Sequence, residues 1–219
     1  MTEVVMVPSH SPAYVERPGF DRRMCKEEIN SCPIAAYEGR ITLVGDEKSA
    51  ERAFMTLKKE EVLGFDIEIQ PSFKKGENHP PALLQLAGEK EVFLFQLARL
   101  KFPGLLRSIM ANPEIIKAGV AVSDDIEKLN ELAGFKAAGF IDLGVIAREA
   151  GVKNRGLRGL AAVLLGFRIS KGCQRSNWGR DHLTGKQIRY AATDAWVGRE
   201  IYLRFQEMGF TGDNLSAAV

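Results

Sequence analysis

Histidine and cysteine are scarce in this chain, and their placement excludes several kinds of site. The three cysteines, Cys25, Cys32 and Cys173, form no Cys-x-x-Cys pair, so reduced thiols are expected rather than disulfides or a zinc knuckle. The three histidines are scattered, without the spacing of a zinc site or of a histidine-based nucleophilic site. The glycines within residues 156–166 lack the spacing of a phosphate-binding loop, and we expect no small-molecule organic cofactor.

A signal peptide and a membrane anchor are also missing from residues 1–15. No basic stretch opens this segment, and Pro8 and Pro12 interrupt its apolar residues. The composition, 45% hydrophobic and 26% charged over 219 residues, is typical of one large α/β domain. We therefore predict a cytoplasmic protein with no membrane partner.

The small net charge of +2 conceals an uneven distribution of basic residues. Residues 151–190 contain nine lysines and arginines but a single acid, Asp181, so the rest of the chain is net acidic. Such a segment is typical of a surface that binds a polyanion, although a run of basic residues can also be an ordinary solvated surface. Composition alone leaves both interpretations open.

Apolar periodicity predicts strands early in the chain and helices toward its end. Strands are expected over residues 41–44, 62–69, 82–87, 92–95 and 115–122. The second, third and fourth of these are expected to form an antiparallel meander, and the last a central parallel strand. Helices are expected over residues 46–59, 103–110, 124–133, 143–150, 157–165 and 186–208. This order predicts an α/β fold with a mixed sheet, three antiparallel strands plus parallel strands, flanked by helices.

The chain ends differ in pattern from the region between them. Residues 1–33 are polar and have no sustained apolar period, so we expect a poorly ordered N-terminal arm. The predicted domain covers residues 34–210, and residues 211–219 are expected to form a C-terminal tail.

Two acids interrupt the apolar strand predicted at residues 62–69. Because strand side chains alternate between faces, Asp66 and Glu68 point the same way while Phe65 and Ile67 point the other way. Carboxylates on a half-buried strand are costly to desolvate unless a basic group, a proton or a bound cation compensates them. A cation site made of oxygen ligands needs further carboxylates from other elements.

One source of such carboxylates is the helix that follows the parallel strand, for which Ser123 is the predicted N-cap. Asp124 and Asp125 stand at its start, where acids also favour the helix dipole. Asp125 lies four residues before Leu129, so a core-facing Leu129 would turn Asp125 inward. Asp142 is most simply the N-cap of the next helix.

A second source is the long C-terminal helix. Tyr190 lies four residues before Asp194, so the phenol and the carboxylate share one helical face, separated by small alanines. The pair is either part of a site or a hydrogen-bonded pair in the core.

Three short segments resemble, in order and spacing, the motifs of the DEDD 3′–5′ exonucleases: Phe65–Glu68, Lys117–Gly119 leading to Asp125, and Tyr190–Ala195. With a tyrosine four residues before the last aspartate, the pattern resembles the DEDDy branch of this family. That branch includes the Werner-syndrome exonuclease domain and the ribonuclease D nuclease domain. The resemblance covers residues 34–208. It implies a ribonuclease-H-like fold, and it selects Asp125 over Asp124 as the site residue.

The resemblance also implies a mechanism. Phosphodiester bonds at the 3′ end of DNA or RNA would be hydrolysed to nucleoside 5′-monophosphates by two divalent cations, Mg²⁺ or Mn²⁺, about 4 Å apart. Asp66 would bridge the two ions, Glu68 and Asp194 would complete the site of the water-activating ion, and Asp125 would help from the outer sphere. Tyr190 would orient the attacking water.

The implied partner is a nucleic acid with a free 3′ end, either a single strand or a frayed duplex. The predicted contacts to its backbone are Lys153, Arg155, Lys171 and Arg175. The predicted contacts to its terminal nucleotides are Leu84, Gln85 and Trp178. No residue pattern distinguishes DNA from RNA.

Two other functions fit the same residues. A catalytically weak nucleic-acid-binding module on this fold would bind without cleavage. A phosphohydrolase for small phosphate esters would use the carboxylates but would not need the basic segment.

Overall fold

The computed structural model describes residues 16–72, 79–100 and 102–210. Within them a six-stranded sheet is formed by β1 (Arg40–Val44), β2 (Val62–Ile69), β3 (Pro81–Ala87), β4 (Glu91–Gln96), β5 (Ile116–Gly119) and β6 (Phe140–Asp142). The spatial order is β1-β4-β3-β2-β5-β6. Strand β3 pairs antiparallel with both β2 and β4. The other pairs are parallel: β1 with β4, β5 with β2, and β6 with β5. The predicted mixed sheet is therefore confirmed.

Helices cover both faces of this sheet. They are α1 (Lys26–Ser31), α2 (Glu47–Leu57), α3 (Leu97–Leu100), α4 (Gly104–Met110), α5 (Val122–Ala133), α6 (Leu143–Glu149), α7 (Leu157–Leu160) and α8 (Gly185–Glu207), with a π-helical turn at Ala161–Leu165. Helices α2, α4 and α5 pack on one face, and α6, α7 and α8 pack on the other. Among the described residues, no helix is long and apolar enough to cross a membrane.

Strand β2 shows the predicted alternation. Leu63, Phe65 and Ile67 are buried against the α2, α4 and α5 layer. The intervening Asp66 and Glu68 therefore face the layer of α8.

Helix α8 crosses the sheet close to β2 because Gly64 has no side chain. A Cβ at Gly64 would lie 1.8 Å from the carbonyl oxygen of Ala195, far inside the contact distance of real atoms. The helix begins at a capping box in which the Thr184 side chain accepts from the Gln187 N–H. This close crossing fixes where the side chains of the middle of α8 meet the sheet.

The predicted strand over residues 115–122 is wrong at its C-terminal end. Strand β5 stops at Gly119, and α5 begins at Val122. The N-cap of α5 is Ala121, which has a left-handed backbone with φ of 57°. Ser123 therefore lies inside the helix and is not its N-cap. The apolar run misleads because it continues without a break from a buried strand into Val122, which is buried at the start of the helix.

The N-terminal arm predicted at residues 1–33 is only partly within the described residues. Residues 1–15 lie outside them, as does the tail predicted at 211–219. Residues 16–33 differ from the predicted poorly ordered arm, because they contain helix α1 and form hydrogen bonds to the rest of the domain. Their structure comes from contacts distant in sequence, such as that between Arg168 and Pro33, which local composition does not encode.

Candidate active site

Three acids from two elements converge on one side of the sheet. Asp66 and Glu68 come from β2, and Asp194 comes from α8, next to the Ala195 that contacts Gly64. One carboxylate oxygen from each lies within 4.8 Å of the others. The sequence predicted this convergence of residues that are more than 120 positions apart.

Burial and mutual repulsion disfavour the charged forms of these acids. Burial, followed by the charges of Asp194 and Asp125, holds the pKa of Asp66 well above its usual range. Burial and then the charge of Asp66 raise the pKa of Glu68 to about 10. Burial raises the pKa of Asp194 to about 7, although a hydrogen bond from the Tyr190 hydroxyl opposes that rise. A cluster of this kind ionises readily only when positive charge is supplied.

The chemistry of this cluster fits a divalent cation. Within the described ranges, no lysine or arginine forms an ion pair with Asp66, Glu68 or Asp194. Carboxylate oxygens are the ligands that Mg²⁺ and Mn²⁺ prefer. The three acids therefore have the composition and the spacing of a hard-metal site.

Asp125 lies near the cluster but outside its tight core. It is half-buried in the first turn of α5, and Leu129 one turn later is fully buried, as the facing argument requires. Burial raises the pKa of Asp125 to about 7, and its charge acts on both Asp66 and Glu68. Asp124 is exposed. The structure thus turns Asp125 toward the cluster and Asp124 toward solvent.

Tyr190 stands one helical turn before Asp194 and lines the same cleft. Burial, and then the charges of Asp194 and Glu68, raise the pKa of its hydroxyl above its ordinary value. The phenol therefore keeps its proton at neutral pH. Its ring centroid lies 6.0 Å from that of Trp178.

The carboxylates open into a cleft of about 520 Å³. Its lining includes four basic residues, Arg23, Arg155, Arg158 and Lys171. Two of the predicted backbone contacts, Arg155 and Lys171, are therefore in the cleft. The other two, Lys153 and Arg175, are exposed but do not line it.

A second cavity, of about 430 Å³, reaches Tyr190 and Asp194 from another side. Lys186 and Arg189, from the first turns of α8, also line it. Basic side chains therefore lie in both spaces that meet at the acids.

The three residues predicted to contact terminal nucleotides lie in the interior instead. Trp178 is 2% exposed, and Leu84 and Gln85 are fully buried. They offer no surface to a nucleotide in this conformation. Trp178 packs in a core cluster with the alanines of α8, the large apolar contact that a buried aromatic side chain makes.

Gln85, which was predicted to contact a terminal nucleotide, lies beside the acids of β2. It pairs with Asp66 across β2 and β3. In the amide orientation that satisfies both of its polar atoms, the Gln85 nitrogen donates to Oδ2 of Asp66 at 3.1 Å and its oxygen accepts from the Glu68 N–H at 3.3 Å. A polar residue in the middle of an apolar strand, on the face of the meander that carries the acids, is the sequence signal for this contact. Arg23 is a second residue that sequence reasoning missed, because it lies in the supposedly unstructured arm.

Comparison with known proteins places this geometry in a family. A family model described as 3′-5′ exonuclease matches residues 41–209. The bifunctional 3′-5′ exonuclease/ATP-dependent helicase WRN of Mus musculus is 35% identical over 170 residues, which cover 75% of this chain and 12% of the relative. The Exonuclease 3′-5′ domain-containing protein 2 of Drosophila melanogaster is 37% identical over 145 residues, covering 64% of this chain and 24% of the relative. The chain thus spans a minor part of each relative.

Solved structures have the same fold. The Nibbler EXO domain of Aedes aegypti aligns with a TM-score of 0.71 at 21% identity, over 80% of this chain and 94% of that one. Trypanosoma brucei ribonuclease D, solved in complex with RNA U12, aligns with a TM-score of 0.66 at 21% identity, over 85% of this chain and 66% of that one. These matches confirm the predicted ribonuclease-H-like fold. Because the family match covers most of its length, this chain belongs to the 3′-5′ exonuclease family.

Proposed function

We propose that this protein is a metal-dependent 3′–5′ exonuclease that removes nucleoside 5′-monophosphates from the 3′ end of DNA or RNA. The observation that carries the proposal is the cluster of Asp66, Glu68 and Asp194 within a cleft lined by arginine and lysine. Carboxylates and basic residues together suit a reaction in which cations and a phosphodiester backbone meet.

Each acid has a role in holding two divalent cations, Mg²⁺ or Mn²⁺. Asp66, Glu68 and Asp194 would supply the carboxylate ligands that hold these ions, with Asp66 shared by both and Glu68 and Asp194 serving one of them. Asp125 acts from the outer sphere, which agrees with its position beside the tight cluster. When bound, the ions activate water and neutralise charge on the leaving 3′ oxygen.

Tyr190 positions the attacking water. Burial, and then the charges of neighbouring carboxylates, raise the pKa of its hydroxyl, so the phenol stays protonated well above neutral pH. A protonated phenol can donate a hydrogen bond and accept one, so it orients a water without removing its proton. This role is supported by the position of Tyr190, which lines the same cleft as Asp66 and Asp194.

Basic residues of the cleft bind the nucleic-acid backbone. Arg155 and Lys171 line the cleft, and their positive charge suits the phosphates of a strand that enters it. Contacts of this kind carry no sequence information, which suits an enzyme that removes any nucleotide. A single strand or a frayed duplex end is the proposed substrate, and the RNA bound by the Trypanosoma brucei relative is compatible with this class.

The direct test is digestion of single-stranded DNA, duplex DNA and RNA, each labelled at the 3′ or the 5′ end, with Mg²⁺ or Mn²⁺. We expect immediate release of labelled mononucleotide from the 3′-labelled strand and a ladder of shortened products from the 5′-labelled strand. Asp194→Asn should abolish both while the protein remains folded by circular dichroism.

Two results would overturn the proposal. Binding without any cleavage would show a nucleic-acid-binding module. Hydrolysis of bis(p-nitrophenyl) phosphate with intact oligonucleotides would show a hydrolase of small phosphate esters.

A further inference from the structure

Residues 16–35, which we name the N-terminal strap, lie outside the region matched by the exonuclease family model. They are nevertheless held to residues 153–168 of the basic segment by hydrogen bonds from both main chain and side chains. The Lys153 N–H donates to the Gly19 carbonyl at 2.7 Å. The buried Asn154 binds both polar groups of the Met24 backbone, accepting from its N–H at 2.8 Å and donating to its carbonyl at 3.1 Å.

The C-terminal half of the strap is fixed in the same way. The Arg168 N–H donates to the Pro33 carbonyl at 2.9 Å, and the Ala35 N–H donates to the Arg168 carbonyl at 2.9 Å. The Arg158 guanidinium donates to the Asn30 side chain at 2.7 Å. The strap therefore follows residues 153–168 along the cleft and is bound to them at both ends.

Two adjacent arginines of the strap have different surroundings. Arg22 forms ion pairs with Glu16 at 2.9 Å and with Glu28 at 2.6 Å, which stabilise the strap itself. Arg23 is exposed and lines the cleft that contains the acids, together with Ile29 of α1. In the part of the chain that the structure describes, no carboxylate forms an ion pair with Arg23.

An unpaired guanidinium in this position suits a phosphate. Its planar donors match phosphate oxygens in a two-bond geometry that a lysine does not offer. Arg155 and Lys171 line the same cleft, so Arg23 extends their basic surface from a separate element. The buried Asn154 contacts fix the backbone beside Arg23, which reduces the conformational freedom lost on binding.

We propose that the N-terminal strap is part of the substrate-binding site, with Arg23 binding a backbone phosphate of the nucleic-acid strand in the cleft. This inference rests on the proposed function, since it takes the ligand of the cleft to be a nucleic-acid strand. It assigns a substrate contact to a segment that the matched exonuclease region does not include.

The test compares Arg23→Gln with Arg17→Gln in the full chain. Arg17 has the same charge and belongs to the same strap, but it does not line the cleft. Binding of a fluorescent single-stranded oligonucleotide is measured by anisotropy over a range of salt concentrations, without divalent metal so that no cleavage occurs. Turnover with Mn²⁺ is measured separately.

We expect Arg23→Gln to weaken binding about fivefold and to reduce the slope of log affinity against log salt by about 0.7, the loss of one phosphate contact on a single strand. Arg17→Gln should bind as the wild type does. With Mn²⁺, Arg23→Gln should raise KM and leave kcat unchanged. Asn154→Ala, which releases the strap without removing a charge, should also weaken binding.

Unchanged binding by Arg23→Gln would overturn the inference, and so would an equal loss in Arg23→Gln and Arg17→Gln, which would indicate a general effect of charge. A wild type that binds the oligonucleotide but does not cleave it would overturn the proposed function, while the binding comparison would still decide the role of the strap. A wild type that does not bind would overturn both.

Discussion

At the scale of single residues, the site depends on acids held where their charge is unfavourable. Asp194 is buried, Asp66 and Glu68 are half-buried beside it, and the pKa of each is raised. Such an arrangement favours function over stability. Residues that hold these carboxylates in place without binding metal are then as important as the acids, and Gln85 is the best placed of them.

Gln85→Leu should raise the Mn²⁺ concentration that gives half-maximal activity by roughly tenfold, because Asp66 loses the donor that orients its carboxylate. Activity is titrated against Mn²⁺ for each variant. The matched control is Gln96→Leu, since Gln96 is also a buried strand glutamine but donates to the Asp181 carbonyl. An equal metal requirement in the two variants would contradict an orienting role for Gln85.

Tyr190→Phe should lower kcat by roughly tenfold or more with little change in KM, because it removes only the hydroxyl to which we assign the orientation of the attacking water. Steady-state kinetics on a 3′-labelled oligonucleotide measure both constants. Tyr37→Phe removes a hydroxyl that donates to the Lys90 carbonyl, away from the acids, and should leave kcat unchanged. A proportional change of kcat and KM in Tyr190→Phe would argue against water orientation.

At the scale of elements, the site exists because α8 lies against β2. Two acids reach it from the strand and one from the helix, and the missing side chain of Gly64 sets their separation. Strand β3 adds Gln85 in register with Asp66. The helix–strand contact is therefore as much a part of the site as the carboxylates are.

Gly64→Ala should destabilise the protein by about 1–3 kcal/mol and reduce activity strongly, because its methyl group would push Ala195 and the neighbouring Asp194 away from β2. Denaturant unfolding measures the stability, and oligonucleotide digestion measures the activity. Gly185→Ala at the start of α8 is the control, because a methyl group there meets no atom within 4 Å. Normal activity in a folded Gly64→Ala protein would contradict this account of the contact.

At the scale of the whole molecule, stability, pH and metal binding are coupled. The unfolded carboxyls lose their protons above pH 4, whereas the folded ones keep them to a higher pH, about 7 for Asp194 and about 10 for Glu68. The folded state therefore binds more protons over this range, and the stability of the metal-free protein falls as pH rises. Buried Lys117, whose pKa is lowered to about 7, acts in the opposite direction above that pH.

Thermal unfolding with EDTA or with Mg²⁺, at pH 5.5 and pH 8.5, measures this coupling. A hundredfold excess of Mg²⁺ over its Kd adds about 2.7 kcal/mol, or roughly 5–10 °C in Tm. We expect that rise at pH 8.5 and a smaller one at pH 5.5, where protons compete. Asp66→Asn should raise the Tm in EDTA at pH 8.5 and remove most of the response to Mg²⁺. If the Tm of the wild type is the same with EDTA and with Mg²⁺, and at both pH values, that result would contradict a metal site at these acids.

Much of the architecture follows from local pattern, as particular elements show. The predicted strand at residues 62–69 coincides with β2, and the predicted C-terminal helix agrees with α8 to within one residue at each end. Strand β2 and helix α8 are long and have a clear alternation of apolar and polar residues. A different assignment of either segment would have buried many polar groups, so the pattern fits only one structure. Strand β6 was missed because Phe140–Asp142 is too short for any period to be visible. The cytoplasmic location stays a prediction.

Local pattern is enough to predict the order of the elements, the shared face of Asp66 and Glu68, and the single helical turn between Tyr190 and Asp194. Each of these features depends on residues within a few positions of one another. Three other features become visible only in the folded chain: Gln85 lies against Asp66, Trp178 and Leu84 are interior, and the strap brings Arg23 into the cleft. These contacts join segments that are far apart in the chain. Local composition and apolar periodicity describe one segment at a time and do not specify which surfaces will pack together.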